Sequence, residues 1–243
     1  MAYDELAHHG IKGQKWGVRR YQNKDGSLTN AGKKRYSNSV DINNMDRKQL
    51  NALLKSGNDF VVKKGSEAYR STNTEHEKTK GKKYVSLRAS DIPIYHDLVA
   101  NETGKIGANV YDVTYSTTKD MKVAGIRTQA EILQKMYGTK SISDNQFKRE
   151  VDAGRIDGKF INKKISKMTD DELSSYLYYN PFGHDMDILN KPMTNVDTDK
   201  YMKELIKKGY DAVVDMEDLS VGYADTPLVI LETENSLKRK HVK

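Results

Sequence analysis

The chain has 243 residues, a formal net charge of +7, a mean hydropathy of -0.80 and no cysteine. This length suits one domain with appendages, and the absence of cysteine excludes disulfides and thiolate zinc sites. No apolar run approaches the ~18 residues that a membrane helix needs, and Met1 to Leu6 lacks the pattern of a signal peptide. We therefore expect a soluble, unsecreted protein that does not bind a membrane.

The first 36 residues predict a basic arm. They contain five Lys and three Arg against three acidic residues, so +5 of the net charge lies in this stretch. Without helical or strand periodicity, the stretch cannot bury enough apolar surface to fold alone. Its single tryptophan lies among basic side chains, which is typical of a peptide that docks on a protein or on nucleic acid, although a solvated arm fits too. The candidate partner-binding residues are Lys12, Lys15, Trp16, Arg19, Arg20 and Tyr21.

A polar connector follows the arm, and the first helix is predicted after it. Asp46 is a suitable N-cap, Leu50 and Leu54 share one helix face, and Gly57 ends the helix. Strands are predicted next on both sides of the Lys64–Gly65 turn and at residues 82–87, 108–114 and 120–123.

Helices dominate the middle of the chain. They are predicted at residues 128–137, at residues 143–153 and from Thr169, where Glu172 follows at the spacing of a capping box. The last helix is predicted to begin at Asp197 or Thr198 and to end at Gly209.

The C-terminal stretch is predicted to form the centre of the fold. Apolar residues at Leu205 and its helical neighbours face two short apolar runs, Ala212–Val214 and Leu228–Leu231, which predict strands covered on both faces. The acidic stretch between these runs, residues 216–226, predicts a surface loop. Together the elements predict an α+β fold with a mixed sheet of about six strands and a helical insertion. The predicted divisions are residues 1–44 for the arm and connector, 45–238 for the domain and 239–243 for a basic tail.

The arm carries a resemblance. Residues 8–36, HHGIKGQKWGVRRYQNKDGSLTNAGKKRY, closely resemble a peptide of many proteins encoded in the head-gene clusters of tailed bacteriophages and prophages. The similarity runs almost without gaps and includes the glycines, the tryptophan and the paired arginines. It implies a phage origin and an association with the capsid or its assembly, and it implies no reaction.

A second resemblance covers the domain. The segments FVVKKGSEAYRS, KKYVSL, KKGYDAVVD and PLVILETENSLK occur in the order of the strand signature of ADP-ribosyltransferase-like domains. This similarity implies that Arg70 holds the phosphate and ribose of NAD, that Ser86 orients the dinucleotide, and that an acid near the last strand activates the nucleophile. Asp225 comes closest to the place of that acid, but it is one methylene shorter than the usual Glu. Asp215 and Glu217 lie at the other end of the same stretch.

Each of these residues also has a structural interpretation. Arg70 can be a strand arginine paired with a carboxylate such as Glu67 or Asp215, and Ser86 can be an ordinary strand hydroxyl. Nucleotide-binding P-loops, zinc-protease motifs and serine-hydrolase elbows are absent from the sequence.

A separate cluster, FGHDMD, brings His184 close to Asp185 and Asp187. It could bind a divalent metal or act as a general base, but it also fits a solvated loop, and we predict no metal site.

The sequence therefore predicts a phage virion-associated or head-assembly protein that acts through protein contacts of its arm, without a cofactor. The expected partners are capsid or portal proteins, phage DNA or a host protein, with a homo-oligomer on the virion and the host cytoplasm as the site of assembly. One alternative is an active mono-ADP-ribosyltransferase that uses NAD. Another is an inhibitor of a host antiviral defence complex.

Overall fold

The computed structural model describes residues 39–40, 42–78, 80–102, 109–137, 167–169, 172–173 and 197–242. The chain divides into two units, residues 1–39 and 40–243, and every described residue except Ser39 lies in the second. Three sequence predictions lie outside the described residues: the partner-binding residues of the arm, the helix at 143–153 and the cluster around His184.

Five helices of more than four residues and nine strands are described. The helices are α1 (Arg47–Lys55), α2 (Ile92–Glu102), α3 (Ile126–Tyr137), α4 (Thr198–Lys207) and α5 (Met216–Val221). The strands are β1 (Ser39–Val40), β2 (Phe60–Val62), β3 (Glu67–Thr72), β4 (Lys83–Ser86), β5 (Tyr111–Thr117), β6 (Met121–Ala124), β7 (Ala212–Val214), β8 (Pro227–Ile230) and β9 (Leu237–Val242). A 3-10 turn at Ala89–Asp91 leads into α2, and a single helical turn at Thr233–Ser236 leads into β9.

Helix starts follow the side chains that the sequence predicts. Asp46 caps α1 by accepting from the Gln49 backbone N–H at 2.8 Å, and the Gln49 side chain completes a capping box. Asp197 caps α4 in a similar way, because its side chain accepts from the Lys200 N–H. The capping box of Thr169 with Glu172 is also present. These local predictions are confirmed because a cap needs only residues that are close in sequence.

The described strands form one mixed sheet in the order β1-β2-β6-β7-β8-β4-β3-β5-β9. β6 and β7 run parallel, while β2–β6, β7–β8, β8–β4, β4–β3, β3–β5 and β5–β9 are antiparallel. The α+β class and the mixed sheet are therefore confirmed, with more strands than the six predicted. Sequence neighbours β2 and β3 do not pair with each other; β2 pairs with β6, whereas β3 lies between β4 and β5.

The core lies where the C-terminal apolar runs predict it. Val213, Val229 and Ile230 are fully buried on the adjacent strands β7 and β8, and Leu205 of α4 is fully buried as well. At about 1.5–3 kcal/mol for each fully buried aliphatic side chain, these central strands contribute strongly to stability.

Two predictions for the C-terminal region were wrong. The stretch 216–226 is not entirely a loop, because residues 216–221 form α5. The Asp215 carboxylate accepts from the Asp218 backbone N–H at this helix start, and Met216 and Leu219 are buried. The predicted basic tail is largely a strand, since residues 239–242 belong to β9 and pair with β5.

Among the described residues, no helix is long and apolar enough to cross a membrane.

Candidate functional site

The predicted site residues lie on or beside three neighbouring strands, with β4 between β3 and β8. Arg70 is on β3, Ser86 ends β4, and Asp225 immediately precedes the start of β8. Tyr69 pairs with Ser86, and Ser86 pairs with Pro227. The three residues therefore lie at about the same level on neighbouring strands.

The sheet nevertheless separates Arg70 from Ser86. Directly paired residues of antiparallel strands point to the same face, so Ser86 shares a face with Tyr69. Successive side chains along a strand point to opposite faces, so Arg70 points to the other face, together with its partner Val113. We call these the Ser86 face and the Arg70 face. The resemblance to ADP-ribosyltransferases implies one shared site, which this register does not provide.

On the Arg70 face, three side chains converge on one carboxylate. Glu77, from the loop between β3 and β4, accepts from Arg70 Nε at 2.9 Å, from Lys83 Nζ at 3.0 Å and from the Tyr115 hydroxyl at 2.8 Å. Arg70 also donates through Nη1 to the Tyr84 carbonyl at 3.0 Å. Arg70 is thus a strand arginine paired with a carboxylate, but the partner is Glu77 rather than Glu67 or Asp215.

The electrostatics of this group, which we call the Glu77 cluster, follow from its burial. Burial alone would raise the pKa of Glu77, but the Arg70 charge and the hydrogen bonds from Lys83 and Tyr115 hold that pKa below its usual value. Burial, and then the bond to Glu77, raise the pKa of the Tyr115 phenol. The cluster is therefore a negative charge held between two positive ones.

On the Ser86 face, a buried aspartate collects four donors. Asp91 is 2% exposed, and its Oδ2 accepts from the Ser86 hydroxyl at 2.6 Å and from the Thr226 hydroxyl at 3.1 Å. The backbone N–H groups of Asp225 and Thr226 donate to the same oxygen at 3.1 and 3.2 Å. Asp91 also directly precedes α2, where the helix dipole favours a negative charge. We call this group the Asp91 cluster.

Asp225 does not point a free carboxylate into a cleft. Its side chain forms an ion pair and a hydrogen bond with Arg47 of α1, and its carbonyl accepts from the Asn51 side chain at 2.8 Å. Its position is therefore determined by α1 on one side and by the Asp91 cluster on the other.

The remaining acids predicted for the site lie at the start of α5. Asp215 is buried and caps this helix, whereas the side chain of Glu217 lies outside the described residues. Asp218 accepts from the Tyr95 hydroxyl at 2.5 Å, and Tyr95 has its pKa raised by burial first and then by the Asp218 charge. In the described part of the chain, no group of three His, Cys, Asp or Glu residues could hold a metal ion.

The sequence reasoning missed Glu77 and Asp91. Glu77 lies in a charged loop, NTEHEKTKGK, in which three other basic or acidic residues within two positions obscure it. Asp91 had a clearer signal, because SDIP offers an acid immediately before the apolar start of α2. Its role on Ser86 and Thr226 depends on strand pairing, which the local sequence does not show.

The comparisons with known proteins cover only the arm. Residues 2–23 match a family of unknown function, DUF7211. No curated protein and no solved structure matches the chain.

Proposed function

We propose that the protein is a phage virion-associated or head-assembly protein that acts through protein–protein contacts of its basic arm. In this proposal the α+β domain carries the arm and does not catalyse a reaction. The proposed lack of catalysis is supported by the position of Arg70 and Ser86 on opposite faces of the sheet.

The bonding of these residues supports the same proposal. Arg70 uses Nε on Glu77 and Nη1 on the Tyr84 carbonyl, and Ser86 donates to Asp91. A residue that binds NAD needs donors directed at the ligand, and here these donors serve the fold. NAD binding across Arg70 and Ser86 would require a rearrangement of both clusters.

The phage assignment depends on the arm. The resemblance of residues 8–36 to peptides of phage head-gene clusters supports an association with capsid or portal proteins, with phage DNA or a host protein as a further contact. The match of residues 2–23 to a family of unknown function adds no activity. The proposed location is the virion, with assembly in the host cytoplasm and a homo-oligomer on the particle.

The experiment is mass spectrometry of purified virions from a host in which the gene is expressed with its phage. We expect the wild-type protein in the particles and a clear loss of the Trp16→Ala/Arg19→Ala double variant, because both changes remove candidate contacts of the arm. The melting temperature of the double variant should stay close to that of the wild type.

A matched control is Lys55→Ala, which changes an exposed residue at the end of α1. This variant should enter virions normally. Absence of the wild-type protein from particles, or equal loss of the control variant, would contradict the proposal.

A further inference from the structure

β9 is the terminal strand of the sheet. It pairs with β5 along one edge and is last in the strand order, so no described strand pairs with its other edge. A terminal strand presents unpaired backbone N–H and C=O groups to which another extended chain can add. At six residues, β9 is also long enough for such pairing.

The edge is strongly basic. The sequence of β9, LKRKHV, contains two Lys, one Arg and one His, and no acid. Lys240 is paired with Glu67 at 2.9 Å, and Arg239 donates to the Glu75 carbonyl, which carries no charge. Within the described residues, Lys238 makes no ion pair, so the edge retains a positive charge.

The register divides this edge into two chemically different sides. Lys238 pairs with Ser116, and His241 pairs with Thr114, which places both basic side chains on the Ser86 face. Val242 pairs with Val113 on the Arg70 face and is 39% exposed. A strand added to β9 would therefore meet basic side chains on the Ser86 face. On the Arg70 face it would meet the exposed Val242 beside the half-buried Arg239, whose guanidinium is bonded to the Glu75 carbonyl.

A second copy of this chain is a poor occupant of the edge. Two β9 strands side by side would bring lysines close to lysines, and like charges across a strand pair are destabilising. The pairing of β9 with β5 also has an irregular register, between Thr114 and Tyr115 of β5. Bulges and lysines at an edge are common protections against self-pairing. The same charges attract an acidic strand, so they select a partner as well as excluding a copy.

We propose that β9 is a docking edge for an extended segment of another protein in which acidic and apolar side chains alternate. The segment adds to the sheet as a tenth strand, with carboxylates beside Lys238 and His241 and an apolar side chain beside Val242. This surface lies in the second unit of the chain and does not depend on the contacts proposed for the arm.

The test is a fluorescence anisotropy titration of the full chain with labelled peptides. The probe is a peptide of about six residues, an ordinary strand length, in which Glu and Val alternate. A matched peptide with the same sequence carries N-methyl groups on alternate amides, so it keeps the charge but cannot pair along one edge. We expect binding of the first peptide only, together with slower amide hydrogen exchange in β9.

Protein variants make the test independent of the peptide chemistry. Lys238→Glu/His241→Glu should weaken binding about tenfold or more, because the attraction of Lys238 is lost and two new carboxylates repel the acidic probe. Lys203→Glu changes an exposed lysine on α4 and should have no effect. Circular dichroism establishes whether each variant is folded. If a variant is not folded, the comparison of the two peptides on wild-type protein still tests whether the probe pairs with β9 through its backbone.

Four results would overturn the proposal. These are no binding of the probe, equal binding of the N-methylated peptide, tighter binding of an oligothymidylate that is lost in Lys238→Glu/His241→Glu, and a concentration-dependent dimer that the same variant abolishes. The second would show attraction by charge alone, the third a nucleic-acid surface, and the fourth an interface between copies.

Discussion

Each face of the sheet stabilises a carboxylate, and the two faces do so with different groups. On the Arg70 face, the Glu77 carboxylate is neutralised by two cations, and its loop is held to the sheet by these ion pairs. On the Ser86 face, the Asp91 carboxylate is almost fully buried and is stabilised by hydroxyl and backbone donors. Arg70 and Ser86, which the sequence predicts as parts of one site, therefore each stabilise a different part of the fold.

The largest expected effect comes from breaking the strand that supports both clusters. Val229 on β8 is fully buried and pairs with Tyr84 on β4 and with Val213 on β7. Val229→Asp places a charge there without a partner, which costs several kcal/mol, so the domain should unfold. Circular dichroism and urea denaturation test this prediction. A soluble variant with wild-type stability would show that β8 is not central.

The next largest effect should come from the Asp91 cluster. Asp91→Ala leaves buried hydroxyl and backbone donors without their acceptor, at about 1–3 kcal/mol for each unsatisfied group. Urea denaturation should show a loss larger than that of Glu77→Gln. The matched control is Asp97→Ala, an exposed position on α2, the helix that follows Asp91, and it should change stability by less than about 0.5 kcal/mol. Equal losses at Asp91 and Asp97 would show that the cluster contributes nothing.

The Glu77 cluster should respond to charge and pH. Glu77→Gln removes the charge between Arg70 and Lys83 and should cost about 1.5–3 kcal/mol at neutral pH, the range for hydrogen bonds to charged groups. Because the pKa of Glu77 is lowered by folding, its contribution is complete above the usual value of 4.5 and is lost as the pH falls through the folded pKa.

The difference in the free energy of unfolding between the wild type and Glu77→Gln should therefore shrink when urea denaturation is repeated at falling pH below 4.5. Glu75→Gln, exposed in the same loop, serves as the control and should show no such convergence. A gap between the wild type and Glu77→Gln that is constant with pH would mean that the Glu77 charge does not stabilise the fold.

The sequence predicted the helices and strands better than the pairing and register of the strands. Helix caps at Asp46 and Asp197, and buried runs around Val213 and Val229, depend on local chemistry and hydrophobic pattern, and they are confirmed. The faces of Arg70 and Ser86 depend on register between strands that are distant in sequence, and a shift of one residue reverses the face. For this reason the sequence could predict both residues as candidates and still not show that they are separated.

β9 illustrates a different limit. Its basic composition predicts a solvated tail, and only the pairing with β5 makes it a strand. Similarly, α5 is short and acidic, and it is stabilised by the burial of Met216 and Leu219 rather than by helix propensity.

Whether the domain lacks catalysis is tested by incorporation of labelled NAD into host and phage proteins by the purified wild-type protein, beside the Arg70→Lys variant. We expect no NAD hydrolysis and no ADP-ribose transfer above background for either protein, because Arg70 and Ser86 point to opposite faces and Asp225 is bound by Arg47. Transfer by the wild type that disappears in Arg70→Lys would contradict a non-catalytic domain and make the protein an ADP-ribosyltransferase.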